Sequence, residues 1–139
     1  MLKIVVATTL AAAASFAGCG GSDKKDQAPT VSSEQRAVLG TIDALQAASR
    51  SGNARKICQE IFTPALADSI RQASKRSCEK EVSATLVTPD AELSVARQID
   101  IRGPRATATV REQNGNTSKV SLVKHGSQWQ IDRISPAKS

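Results

Sequence analysis

The chain has no tyrosine, one tryptophan, two phenylalanines, one histidine and three cysteines among 139 residues. Each scarcity argues against a class of chemistry. Without aromatic side chains to stack on bases, nucleic-acid binding is not expected. A lone His125 has no spaced carboxylate or thiol partners, so no metal-ligand set is formed. There is no Cys-x-x-Cys pair, no Gly-x-Ser-x-Gly elbow and no cofactor-binding motif. Phe16 lies in the N-terminal segment, so the rest of the chain keeps only Phe62 and Trp129. A core built from such a chain is aliphatic and alanine-rich.

What is present at the N-terminus sets the compartment. Lys3 opens a segment that is apolar from Ile4 to Ala14 apart from Thr8 and Thr9, and Ala17-Gly18 forms a small-residue cleavage site. The apolar stretch falls short of the roughly 18 residues a spanning helix needs. Residues 1–18 therefore read as a signal peptide. The sequence Phe16-Ala17-Gly18-Cys19 resembles the lipobox of bacterial lipoproteins, with Phe16 in place of the usual leucine. The resemblance implies a diacylglycerol on the Cys19 thiol, a mature chain starting at Cys19, and a lipid-anchored location on the extracytoplasmic face of the cell membrane. An ordinary secreted protein cleaved near Ala17 is the alternative. Residues 19–32 then form the lipidated cysteine and a polar tether of Gly, Ser, Asp, Lys, Gln and Pro, with a reach of roughly 20 Å.

Residues 33–139 suffice for one small domain with a single core. Formal charge is +6, or +5 once Lys3 leaves with the signal, which suits a surface of anionic lipid or an acidic envelope polymer. Cys58 and Cys78 are an even pair in an oxidising compartment and are expected to form a disulfide.

The first half of the domain has helical period. Ser32 stands three before Gln35, a capping-box start, and Val38, Leu39, Ile42 and Leu45 follow at helical spacing up to a stop at Gly52. Asn53 caps a second helix with Ala54, Ile57, Cys58 and Ile61 on one face. Thr63-Pro64 starts a third, with Leu66, Ile70 and Ala73 as its buried stripe. A fourth runs from Ser77 to about Leu86.

From Leu93 the period is two. Four strands are expected, at about 92–102, 105–113, 117–124 and 128–134, joined by hairpin-length turns into an antiparallel meander. Turns at Gly103-Pro104 and Gly126-Ser127 pair Ile101 with Ala106, Ile99 with Ala108, Leu122 with Ile131 and Lys124 with Trp129. At the middle turn a two-residue Asn114-Gly115 loop would oppose Val110 to Lys119. A three-residue loop instead opposes Val110 to Val120 and Ala108 to Leu122, keeping one face apolar, and is the expected form. Arg111 then faces Lys119. The fold class is α+β, with helices on the apolar face of a four-stranded sheet.

Helices followed by a long meander ending in Gly-Ser-Gln-Trp-Gln-Ile-Asp-Arg-Ile resemble the nuclear-transport-factor-2-like, or ketosteroid-isomerase-like, cone. The resemblance implies a curved sheet wrapped into a cone-like pocket, and it is compatible with an enzyme, a binding module or a sheet-mediated dimer. Isomerase-type members use a carboxylate base facing a hydrogen-bond donor, commonly tyrosine, which this chain lacks. Asp43 falls about 110° from the centre of the apolar stripe of its helix, and Asp100 and Asp132 fall on the solvated sheet face. No catalytic residue is assigned. Alternation places Arg97 inward, facing Val110, where it would anchor an anionic ligand. A β-bulge near Ala96-Arg97-Gln98 would instead turn it out. Arg97 and Trp129 are the candidate ligand contacts. The outer face carries Arg102, Arg105, Arg111 and Lys119, a solvated surface or a dock for an acidic polymer or protein, and a homodimer through this sheet stays open. The expectation is a membrane-anchored envelope lipoprotein without enzymatic activity that binds a small ligand or an envelope component, with no metal and no cofactor. The alternatives are an isomerase or dehydratase using the cone, and a sheet-mediated interaction module.

Overall fold

A computed structural model describes residues 31–95 and 99–137. The signal segment, Cys19, most of the tether and Arg97 lie outside the described residues.

The first helix, α1 (Ser33–Arg50), begins where the capping box predicts. The Ser32 hydroxyl accepts from the Gln35 N–H at 3.1 Å, and the Gln35 side chain accepts from the Ser32 N–H at 2.9 Å. Such a cap contributes about 1 kcal/mol. At the other end Gly52 turns left-handed at φ +70°. The Asn53 N–H reaches back to the Ala48 carbonyl and the Gly52 N–H to that of Ser49, so the last carbonyls of the helix are satisfied. The chain restarts at once in α2 (Ala54–Lys56), capped by the Asn53 side chain. It then widens into a π-helical turn, Ile57–Ile61, closed by the Phe62 N–H on the Ile57 carbonyl at 2.8 Å. Ile57, Cys58 and Ile61 all point inward.

Thr63 caps α3 (Pro64–Ser74) through the Leu66 N–H, with proline at the first position as expected. The stripe is shifted from the expected one. Leu66, Ala67 and Ile70 pack against the core, whereas Ala73 is exposed, and no residue of α3 is fully buried. Ser77 caps α4 (Cys78–Thr85), whose Val82 is buried. The Cys58–Cys78 disulfide joins the π-turn to the first residue of α4, with 6.1 Å between Cα atoms.

The sheet is antiparallel and open, with five strands: β1 (Leu93–Val95), β2 (Asp100–Arg102), β3 (Arg105–Glu112), β4 (Thr117–His125) and β5 (Gln128–Pro136). The four-strand expectation is corrected: in place of one strand at about 92–102, the described residues form two, β1 and β2, each paired with β3. Val95 pairs with Val110 and Asp100 with Thr107. β1 and β2 therefore lie end to end along one side of β3, and Ile99 is not paired with Ala108. The outer hairpins follow expectation: Ile101 opposes Ala106, Leu122 opposes Ile131 and Lys124 opposes Trp129.

The middle hairpin has a three-residue loop, as expected, but one residue earlier. The loop is Gln113-Asn114-Gly115, so Ala108 opposes Val120 and Val110 opposes Ser118. The physical reason is Gly115, at φ +84°, in the loop position that needs a left-handed residue. The shift also moves Lys119 opposite Thr109 and Arg111 opposite Thr117. The expected Arg111–Lys119 like-charge pair is thus absent, and the like charges that do face each other are Arg102 and Arg105.

A bulge in β5 sets how the layers meet. Leu122 pairs with Ile131 but Ser121 with Arg133, leaving Asp132 as the extra residue. Strict alternation would have turned Arg133 inward. The bulge instead exposes Arg133 and brings Ile134 against the core. It also serves as the dock for the helices: the Thr63 N–H donates to the Ile131 carbonyl at 2.8 Å, and the Thr63 hydroxyl to Asp132 at 3.2 Å. Val38, Ile42 and Leu45 of α1, with Ile57 and Phe62, close over Ala106, Ala108, Val110, Val120, Leu122 and Ile131. Among the described residues the architecture is α+β, with four helices and their π-turn on the apolar face of the sheet.

Candidate functional site

A cavity of about 250 Å³ lies between α1, the α4–β1 connection and the far ends of β3, β4 and β5. Its volume is just below the range of pockets that hold drug-sized ligands, which limits an occupant to a small molecule or one end of a chain. Ile42, Leu45, Leu86, Leu93, Val110, Val120, Ile131 and Ile134 make its wall apolar, and Ser49 supplies the polar group that α1 contributes. Ser49 is 4 % exposed. The rim is polar, with Thr88, Asp90 and Glu92 on one side and Glu112, Gln113 and Asn114 on the other.

Local hydrogen bonds hold that rim in place. The Arg50 guanidinium donates to the Ala91 carbonyl, and the Gln46 side chain accepts from the Leu93 N–H at 2.6 Å. Together they fasten the α4–β1 connection to the last two turns of α1. Across the opening, Glu112 accepts from the Ser118 hydroxyl at 2.8 Å. The entrance is thus framed by elements that the chain's own hydrogen bonds hold.

The two expected ligand contacts fare differently. Arg97 lies outside the described residues, and the position facing Val110 is held by Val95. Trp129 is described, is 4 % exposed, and does not line the cavity. Its indole N–H donates to Glu34 at 3.0 Å, and its carbonyl accepts from the Thr41 hydroxyl at 3.1 Å. The same Glu34 accepts from Lys124 at 2.6 Å, while the Lys124 ammonium sits 5.9 Å from the centre of the Trp129 ring. Trp129 therefore pins the start of α1 to the β4–β5 hairpin. The Lys124 hydrogen bond first, then that of Trp129, hold the Glu34 carboxyl below the usual carboxylate range, against a smaller opposing effect of burial.

Among the described residues the acid–base groups form no catalytic arrangement around the cavity. Asp43 is exposed on α1, Asp100 pairs with Arg102 at 3.1 Å on the outer face, and Asp132 is engaged by Thr63. His125 is exposed beside the β4–β5 turn. None of these four lines the cavity. The carboxylates that do, Asp90, Glu92 and Glu112, escaped the sequence reading because two precede the first strand and the third sits at a strand end, where alternation no longer decides direction. Among the described residues no group of three His, Cys, Asp or Glu side chains forms a metal-ligand set.

Compared with known protein families, with curated proteins and with solved structures, the chain has no match.

Proposed function

We propose that this protein is an exported, lipid-anchored envelope protein whose domain, a small cone of the nuclear-transport-factor-2-like type, holds a small apolar ligand without catalysing its conversion. The observation that carries the ligand reading is the cavity: about 250 Å³, walled by aliphatic side chains, with Ser49 as the hydroxyl offered by α1. An apolar molecule entering it replaces water on that wall, worth roughly 25 cal/mol for each Å² covered. The Cys19 lipobox supports the anchor and the paired Cys58 and Cys78 suit an oxidising compartment. A diacylglycerol supplies two chains, enough for stable attachment where one is marginal.

The ligand reading is tested by titrating the protein with the neutral apolar dye N-phenyl-1-naphthylamine, which brightens in apolar surroundings. The expected result is saturable binding at one site that is lost in Ser49→Leu, because the larger side chain fills the cavity from an α1 position that tolerates leucine. Absence of saturable binding in the wild type, or equal binding in a folded Ser49→Leu, would sink the reading.

A further inference from the structure

We infer that the outer face of the sheet is a docking surface for an anionic lipid bilayer, so that the domain lies on the membrane rather than merely near it. The inference deepens the anchored-lipoprotein reading and rests on it for the choice of membrane.

The charge of the domain is segregated by layer. Residues 33–92 carry eight Lys or Arg and eight Asp or Glu, while residues 93–139 carry eight Lys or Arg against three Asp or Glu. The net charge of the mature chain therefore resides in the sheet half. Registry then puts most of it on one surface. Arg105 and Arg111 project from β3 opposite to the buried Ala106, Ala108 and Val110. Lys119 lies across from Thr109, and Arg133 across from Ser121, on the same side. Arg102 faces Arg105. All five are exposed, and of these only Arg102 has an ion-pair partner among the described residues. The other four span about 20 Å along the strands and about 10 Å across them.

The chemistry of this face selects the occupant. Between the cations lie Thr107, Thr109 and Ser121, short polar side chains, with the half-buried Val123 opposite Arg105 and Asp100 paired to Arg102. Its described residues offer no aromatic or large apolar anchor of the kind that dominates protein–protein interfaces, and no stacking platform for bases. A second copy would set cations against cations. An array of anionic headgroups matches it in sign and needs no pocket.

The entry point of the chain agrees. Glu34 at the start of α1 is bonded to Lys124 and Trp129 at the tip of the β4–β5 hairpin. Val123, one residue away, pairs with Arg105. The start of α1 therefore lies at the hairpin end of the sheet that also carries Arg102 and Arg105, and an anchor at Cys19 with a reach of roughly 20 Å would let lipid attachment and the five cations engage one membrane.

The test uses the chain from residue 19 with Cys19→Ser, so that no acyl group contributes, sedimented with vesicles. The vesicles are phosphatidylcholine alone or with about 30 % phosphatidylglycerol. Binding is expected only to the anionic vesicles, weakening steeply as salt rises to about 0.5 M. Each cation near the surface is worth about fivefold, so Arg105→Gln, Arg111→Gln, Lys119→Gln and Arg133→Gln together should weaken binding several hundredfold. A second variant, Arg36→Gln, Arg55→Gln, Lys56→Gln and Lys80→Gln, removes the same charge from the helical layer and should bind within a few-fold of the parent. Thermal unfolding of both checks that they fold. No binding to anionic vesicles, equal binding to phosphatidylcholine, or equal loss in the two variants would overturn the inference. Any of these results leaves the Cys19 anchor and the cavity untouched, since neither enters the assay.

Discussion

Removing the Cys58–Cys78 bridge should loosen the molecule unevenly. The bridge spans a sequence separation of 20. In the chain-entropy account, closing a loop of about 20 residues restricts the unfolded chain by roughly 11 cal/mol/K, or about 3 kcal/mol at 25 °C. For a domain of this size that corresponds to a fall in Tm of roughly 12–25 °C. The loop encloses the whole of α3, which has no fully buried residue. That helix is held at its start by Thr63 on the β5 bulge and at its end through α4, whose own first residue is Cys78. With the bridge gone, α3 keeps only partly buried contacts from Leu66, Ala67 and Ile70. The Cys58→Ala/Cys78→Ala double variant should therefore lose about 3 kcal/mol in urea unfolding. Amide exchange across α3 and α4 should rise well before that in β3–β5. Reduction of the unmutated protein gives the same comparison without truncating either side chain. A loss below about 1 kcal/mol, or exchange that rises uniformly over the domain, would refute the argument that this bridge holds the weakest layer.

Two further outcomes follow from local geometry. The Glu34 carboxyl is depressed in the folded state, so its contribution is present above the usual carboxylate value of 4.5 and is lost as pH falls below it. Urea midpoints of the wild type should thus fall more steeply from pH 5 to pH 3 than those of Glu34→Gln, and parallel curves would contradict the assignment. At the β3–β4 loop, a Cβ on Gly115 would meet no atom within 4 Å, but the residue sits at φ +84°. Gly115→Ala should therefore cost about 1 kcal/mol through backbone conformation alone. No change in the urea midpoint would remove the loop geometry from the account.

Local signals were the legible part of this fold. Among the described residues each α-helix start coincides with a side-chain cap that can be read in four letters: Ser32 with Gln35, Asn53, Thr63 with Pro64, and Ser77. The disulfide and the order of helices before strands were equally accessible. Strand register was legible only modulo two. The requirement that Val110, Val120 and Leu122 share a face excludes odd shifts, but Ala108 opposite Val120 satisfies it as well as Val110 opposite Val120 does. Gly115 in a left-handed position breaks the tie, and the expected loop, which put Gly115 in its middle, overlooked that demand. The Asp132 bulge carries no sequence signal of its own, since its partner is Thr63, nearly seventy residues earlier. The same holds for Glu34, which binds Lys124 and Trp129 from the other end of the domain. The cavity rim was hidden for a related reason: it is assembled from the end of α1, a connecting segment and a hairpin loop. Periodicity reads elements, and a site made between elements needs their packing.

The most direct test of the account is the intact mass of the protein extracted from its own membrane, taken under denaturing and then native conditions. The account predicts a denatured mass equal to the chain from Cys19 plus diacylglycerol, less two hydrogens for the disulfide, and an added small mass under native conditions only. A bare chain cleaved elsewhere would contradict the anchor, and a lipidated protein with no added native mass would contradict the ligand.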